Sequence, residues 1–128
     1  MLAVVLASGL LIRDTSDAHA YAARLHSARS SYDRCLFQNT KDMFHGSDSP
    51  DLEQAILASC QNEFDAYADA MGAGAPPNAQ AAARASLTSM MPTIVHMAVQ
   101  AEQACAADIR HRKEPGHVPI TCDMPPDP

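Results

Sequence analysis

Positive charge is in short supply in this 128-residue chain: nine Lys and Arg stand against 15 Asp and Glu, a formal net charge of −6. A pI near 5.3 argues against nucleic-acid binding, which needs a basic surface to displace counterions from phosphate. It argues equally against docking on anionic lipid. Long apolar runs are missing too. The longest, Leu2–Ile12, has eleven residues, whereas a helical membrane span needs roughly 20. Charged residues make up only 19% of the chain and hydrophobic ones 47%, the opposite of a disordered composition. Glycine is scarce, at five residues, while alanine occurs 24 times; that balance favours helix.

Catalytic signatures are absent as well. The chain has no G-x-S-x-G, H-E-x-x-H, Walker A loop, G-x-G-x-x-G or calcium loop. It has no C-x-x-C, so a thioredoxin-like redox centre is unsupported, and no C-x-x-C-H for attached haem. No nucleophile, base and orienting group converge in the pattern. The expectation is a non-enzymatic protein without a cofactor, acting by binding a macromolecule or as a structural component.

The first twenty residues read as an address. The run Leu2–Ile12 has the length of a signal's apolar region, and Ala18-His19-Ala20 is a small-x-small cleavage pattern ending before Tyr21. No basic residue precedes the run, and 13–20 is long and charged for a cleavage region; the competing reading is an amphipathic or buried N-terminal helix. Residues 1–20 are expected to be a secretory signal, 21–114 a helical domain and 115–128 a Pro-rich tail. The expected location is secreted or periplasmic, with no membrane span in the mature chain. The expected partner class is another envelope protein, not a nucleic acid.

An all-α bundle of three to four helices is expected. Tyr21, Leu25, Ala28, Tyr32, Cys35, Leu36 and Met43 recur at helical steps, and His45-Gly46 ends that stretch. Ser49-Pro50-Asp51 opens the next helix: Ser49 can cap, Pro50 suits the first helical position, and Asp51 and Glu53 meet the positive end of the dipole. Leu57, Cys60, Phe64, Tyr67 and Met71 form its core stripe, and Gly72–Pro77 breaks it. Asn78 can cap a third stretch, in which Pro92 is expected to cause a kink or break. Beyond Pro92 the expected stripe is Ile94, Ala98, Ala101, Cys105 and Ile109, and the cluster Arg110–Lys113 suits a helix C-terminus. Five of the nine prolines come after it, at 115, 119, 125, 126 and 128.

The four cysteines read as two staples. Cys35 and Cys60 are equidistant from the turn at 45–49, and residues so placed face each other in an antiparallel helical hairpin. Cys105 and Cys122 are equidistant from position 113.5, where the last helix meets Pro115-Gly116 and the tail can fold back. Of the three connectivities, 35–60 with 105–122 is the natural one for both pairs.

Two metal sites compete with these structural readings, and together they define the alternative function, a small periplasmic copper- or zinc-binding protein. Cys105, His111, His117 and Cys122 supply zinc-type ligands, although six residues along a helix separate the first two around it. Met90, Met91, His96 and Met97 offer thioethers and an imidazole suited to Cu(I), although methionine stripes are more often core filler. The tail around Val118, Pro119 and Ile120, held by Cys122, is the expected binding surface.

Overall fold

The computed structural model describes residues 2–116 and 122, with side chains from residue 16 onward. Those residues form four helices: α1 (Leu2–Met43), α2 (Pro50–Ser59), α3 (Gln61–Gly72) and α4 (Pro77–His111). The all-α bundle read from the sequence is the fold. No helix among the described residues is long and apolar enough to cross a membrane.

The chain folds as two antiparallel returns, and the pairing partners show the register. Across the first return, Tyr21 Oη donates to the Met71 carbonyl at 2.8 Å. The Tyr32 and Phe64 rings meet edge-on at 5.9 Å, and the Cα atoms of Cys35 and Cys60 lie 5.9 Å apart in a disulfide. All three pairs are centred on residues 46–48, inside the turn. Across the second return, Arg84 pairs with Asp65, and a Cβ on Gly72 would stand 3.0 Å from Gln80 Cγ. These pairs are centred on 73–77. Gly72 is therefore the last residue of α3 rather than a breaker outside it, and its missing side chain lets α4 start against α3. The break itself falls at Ala73–Pro76, where Gly74 adopts a positive φ of 80°.

Local chemistry explains the first turn. The Leu52 amide donates to Ser49 Oγ at 3.1 Å, Pro50 sits at the start of α2, and Asp51 and Glu53 occupy its first turn. The expected single helix over 50–72 is interrupted at one residue. Cys60 leaves helical geometry (φ −109°, ψ 20°), its amide turning to Leu57 O at 3.2 Å in a tighter turn. The interruption falls at the residue that is crosslinked to α1.

Two expectations for the last long segment are corrected. First, Pro92 does not break α4, which runs as one helix of 35 residues. Pro92 is exposed, and Met91 and Val95 are buried on either side of it and hold the helix. Second, Asn78 does not cap it: Pro76 is the residue before the first turn, Pro77 opens the helix, and no side chain caps it. The α4 core stripe is Leu87, Met91, Val95, Val99 and Cys105, with Val95 and Val99 fully buried. The stripe is turned by one residue from the expected one: Ala101 is exposed and Ile109 is 60% exposed. Leu87, Met91, Val95 and Val99 close on Tyr32, Leu36, Ile56, Cys60, Phe64 and Ala68 to form the core.

Candidate functional site

Each of the four cysteines is in a disulfide, Cys35–Cys60 within the core and Cys105–Cys122 joining the end of α4 to the tail. The second pair has Cα atoms 5.6 Å apart. Sulfurs engaged in disulfides are not thiolate ligands, so the Cys105/His111/His117/Cys122 set does not make a zinc site. His111 instead lies with Nδ1 2.6 Å from Glu114 Oε1. His117, with Val118, Pro119 and Ile120, lies outside the described residues.

The Met90/Met91/His96/Met97 set does not converge either. Met91 is buried in the core, whereas Met90 and Met97 are 54% and 64% exposed. Helical geometry separates them: Met91 shares the inward face with Val95, and its neighbours do not.

The structure gives His96 other company. Its Nδ1 lies 3.3 Å from Asp48 Oδ2 and 3.3 Å from Glu53 Oε2. One nitrogen and two carboxylate oxygens meet there, all within 4.8 Å of one another. The three residues come from the turn before α2, the first turn of α2 and the middle of α4. Val95, fully buried beside His96, sets the rotation of α4 that brings the imidazole over α2. Asp48 and Glu53 are largely covered, with side chains 17% and 21% exposed, while His96 is at the surface. Asp48 Oδ1 is buried without a hydrogen-bond partner. Sequence reading missed this group because Glu53 served as a helix-start residue and His96 was weighed with its methionine neighbours. The signal available was register: Glu53 and His96 are centred on 74.5, inside the break at Gly72–Pro77.

A second feature is a groove of about 340 Å³ between α3 and α4. Tyr32, Phe64 and Met91 floor it; Leu57, Gln61, Arg84, Thr88 and Pro92 frame it. Having no amide hydrogen, Pro92 cannot donate to the Thr88 carbonyl one turn back, so the groove's α4 wall is also where the helix is short of one backbone donor. Arg84 stands at 5.4 Å over the Phe64 ring and bonds Asp65. That bond, with a second from Gln61, holds the Asp65 carboxyl below its usual range. Asp65 and Asp69, one turn apart on α3, thus clamp one arginine: Asp69 lies 4.0 Å from the same guanidinium.

Scanned against protein-family models, curated proteins and solved structures, the chain matches none of them.

Proposed function

We propose that this is a secreted or periplasmic, non-enzymatic binding protein that holds another envelope protein against the α3–α4 groove. Its two disulfides suit an oxidising compartment. The contacts on either side of Ala20 are compatible with removal of residues 1–20. Residues 16–20 are all exposed, and Tyr21 is bonded across the first return to Met71. A signal cleaved after Ala20 would leave that contact in place.

The groove carries the binding reading. Small bundles must fill their cores to stay folded, and an indentation of about 340 Å³ whose floor includes two aromatic rings is a seat for one apolar partner side chain. Arg84 at its rim supplies directional polar contact, the usual division between anchor and rim.

Capture from an envelope extract tests it. Thr88, exposed on the groove wall, is replaced by Trp to fill the seat without touching the core. Thr88→Trp is expected to fold as wild type does and to lose at least most of the captured partner. Capture at wild-type strength would remove the groove as the binding surface. In the same preparation, N-terminal sequencing is expected to begin at Tyr21; mature protein retaining Leu2 would remove the export reading.

A further inference from the structure

We propose that Asp48, Glu53 and His96 form a binding site for a single transition-metal dication, zinc being the ion its donors fit best. The spacing is the first argument. Ligands around a tetrahedral ion at about 2.0–2.1 Å stand about 3.3–3.4 Å from one another, since a tetrahedron's edge is about 1.6 times its centre-to-corner length. His96 Nδ1 lies 3.3 Å from each of the two carboxylate oxygens. Those two separations already match the edges of such a tetrahedron, and all three donors lie within 4.8 Å of one another, so an ion can draw them together by side-chain rotation.

The alternative, a simple histidine–carboxylate ion pair, accounts for less. A ring nitrogen carries at most one proton, and here two carboxylate oxygens approach the same nitrogen. Only the approach of Glu53 has hydrogen-bond geometry. At 3.3 Å both contacts are longer than the roughly 2.7–2.9 Å of charge-assisted bonds. Asp48 meanwhile keeps Oδ1 shielded from solvent without a hydrogen bond, which is costly for an oxygen that carries negative charge. A dication shared by both carboxylates would offset that cost, whereas a single imidazolium proton does not.

The donor set also selects the ion. Imidazole is a poor ligand for magnesium and calcium, which take oxygen donors, and no thiolate or thioether is in the group to favour Cu(I). One nitrogen with two carboxylates suits zinc, with the exposed side of His96 left for water as a fourth ligand. The site would tie the middle of α4 to the start of α2, a third crosslink on a face that neither disulfide reaches.

The test uses oxidised full-length protein freed of metal with a chelator, then titrated with zinc chloride by calorimetry and with cobalt(II) by visible absorption. One equivalent of zinc is expected to bind, to raise Tm, and to be matched by the intense d–d band of four-coordinate cobalt. His96 is half exposed, so His96→Ala should retain the helical circular dichroism signal. It is expected to weaken binding about tenfold or more, the range seen when even supporting residues of metal sites are removed. Glu53→Gln keeps the side chain's size and is expected to weaken binding similarly. No binding by wild-type protein overturns the proposal. So does equal binding by wild type and His96→Ala, which would assign the zinc to other surface histidines, or full affinity in Glu53→Gln. Partner capture is not involved, so this site and the groove stand or fall separately.

Discussion

Residues 44–49 and residues 73–77 both reverse the chain, yet the helices that leave the two turns are governed differently. After the first, α2 begins with a side-chain cap, a proline at its start and two acidic residues in its first turn. The disulfide then clamps α1 to Cys60, which is fully buried in the core. After the second, α4 begins with no side-chain cap, contains a proline in its interior, and is crosslinked only at its far end. The hairpin of α1 with α2 and α3 is thus specified by short-range chemistry, and α4 by the surface it packs on. Helices that own their signals can be read one residue at a time; a helix held by its neighbours can be read only once the neighbours are placed.

The disulfides give the largest test of that contrast. Closing loops of 25 and 17 residues, each contributes about 3 kcal/mol on loop entropy alone. Chain entropy therefore does not rank them; burial does. Removing Cys35–Cys60 by paired alanine substitution also opens a gap beside Tyr32, Leu36 and Ile56 and is expected to cost about 3–5 kcal/mol in urea unfolding. Removing Cys105–Cys122 frees one helix end and is expected to cost about 1–3 kcal/mol. Equal or reversed losses would mean that the end of α4 is as central to the fold as the hairpin.

Pro92 offers a test of opposite sign. Proline inside a helix is about 3 kcal/mol less favourable than alanine, through its missing amide and its ring. α4 continues through Pro92 because Met91 and Val95 are anchored on either side of it in the core. Pro92→Ala restores a donor to the Thr88 carbonyl at an exposed position. It is expected to raise stability by about 1–3 kcal/mol, read as a higher Tm. A lower Tm would show that the proline ring supports the groove wall and that α4 depends on it.

The same contrast explains how much could be read beforehand. The Ser49 cap, the turn at 45–49, the stripe from Tyr32 to Leu36 and both cysteine pairings follow from spacing and local geometry, and the structure has them as read. The Cys60 interruption, the unbroken passage through Pro92 and the one-residue rotation of the α4 stripe do not. Each is decided by a contact between segments far apart in the chain. Ile94 and Val95 are equally apolar and both fit a helical period, so only the placement of the other helices leaves Ile94 at the margin of the core and Val95 inside it. The Asp48/Glu53/His96 group depends on the same choice, because a stripe centred on Ile94 and Ala98 turns His96 elsewhere. The groove is likewise a product of α3 and α4 together.

The smallest effect, and the one that probes the hairpin's own interior, belongs to Tyr32. Its ring packs on Phe64 and Tyr67 and is only 1% exposed, while its hydroxyl is buried without a hydrogen-bond partner. Burial, with a smaller contribution from the neighbouring Asp33 charge, pushes its pKa from 10.0 up to about 12. The folded protein therefore holds this proton more tightly than the unfolded chain. The contribution to stability is complete below pH 10 and is lost as pH rises through 10 to 12. Tyr32→Phe keeps the ring and removes both the unpartnered oxygen and the titration. At neutral pH it is expected to leave stability unchanged or raise it by up to about 1 kcal/mol. Between pH 10 and 12 it is expected to unfold less readily than wild type. Parallel alkaline curves for the two proteins would show that the Tyr32 hydroxyl is reached by water, and that the hairpin is less tightly closed at its centre than the crosslink beside it implies.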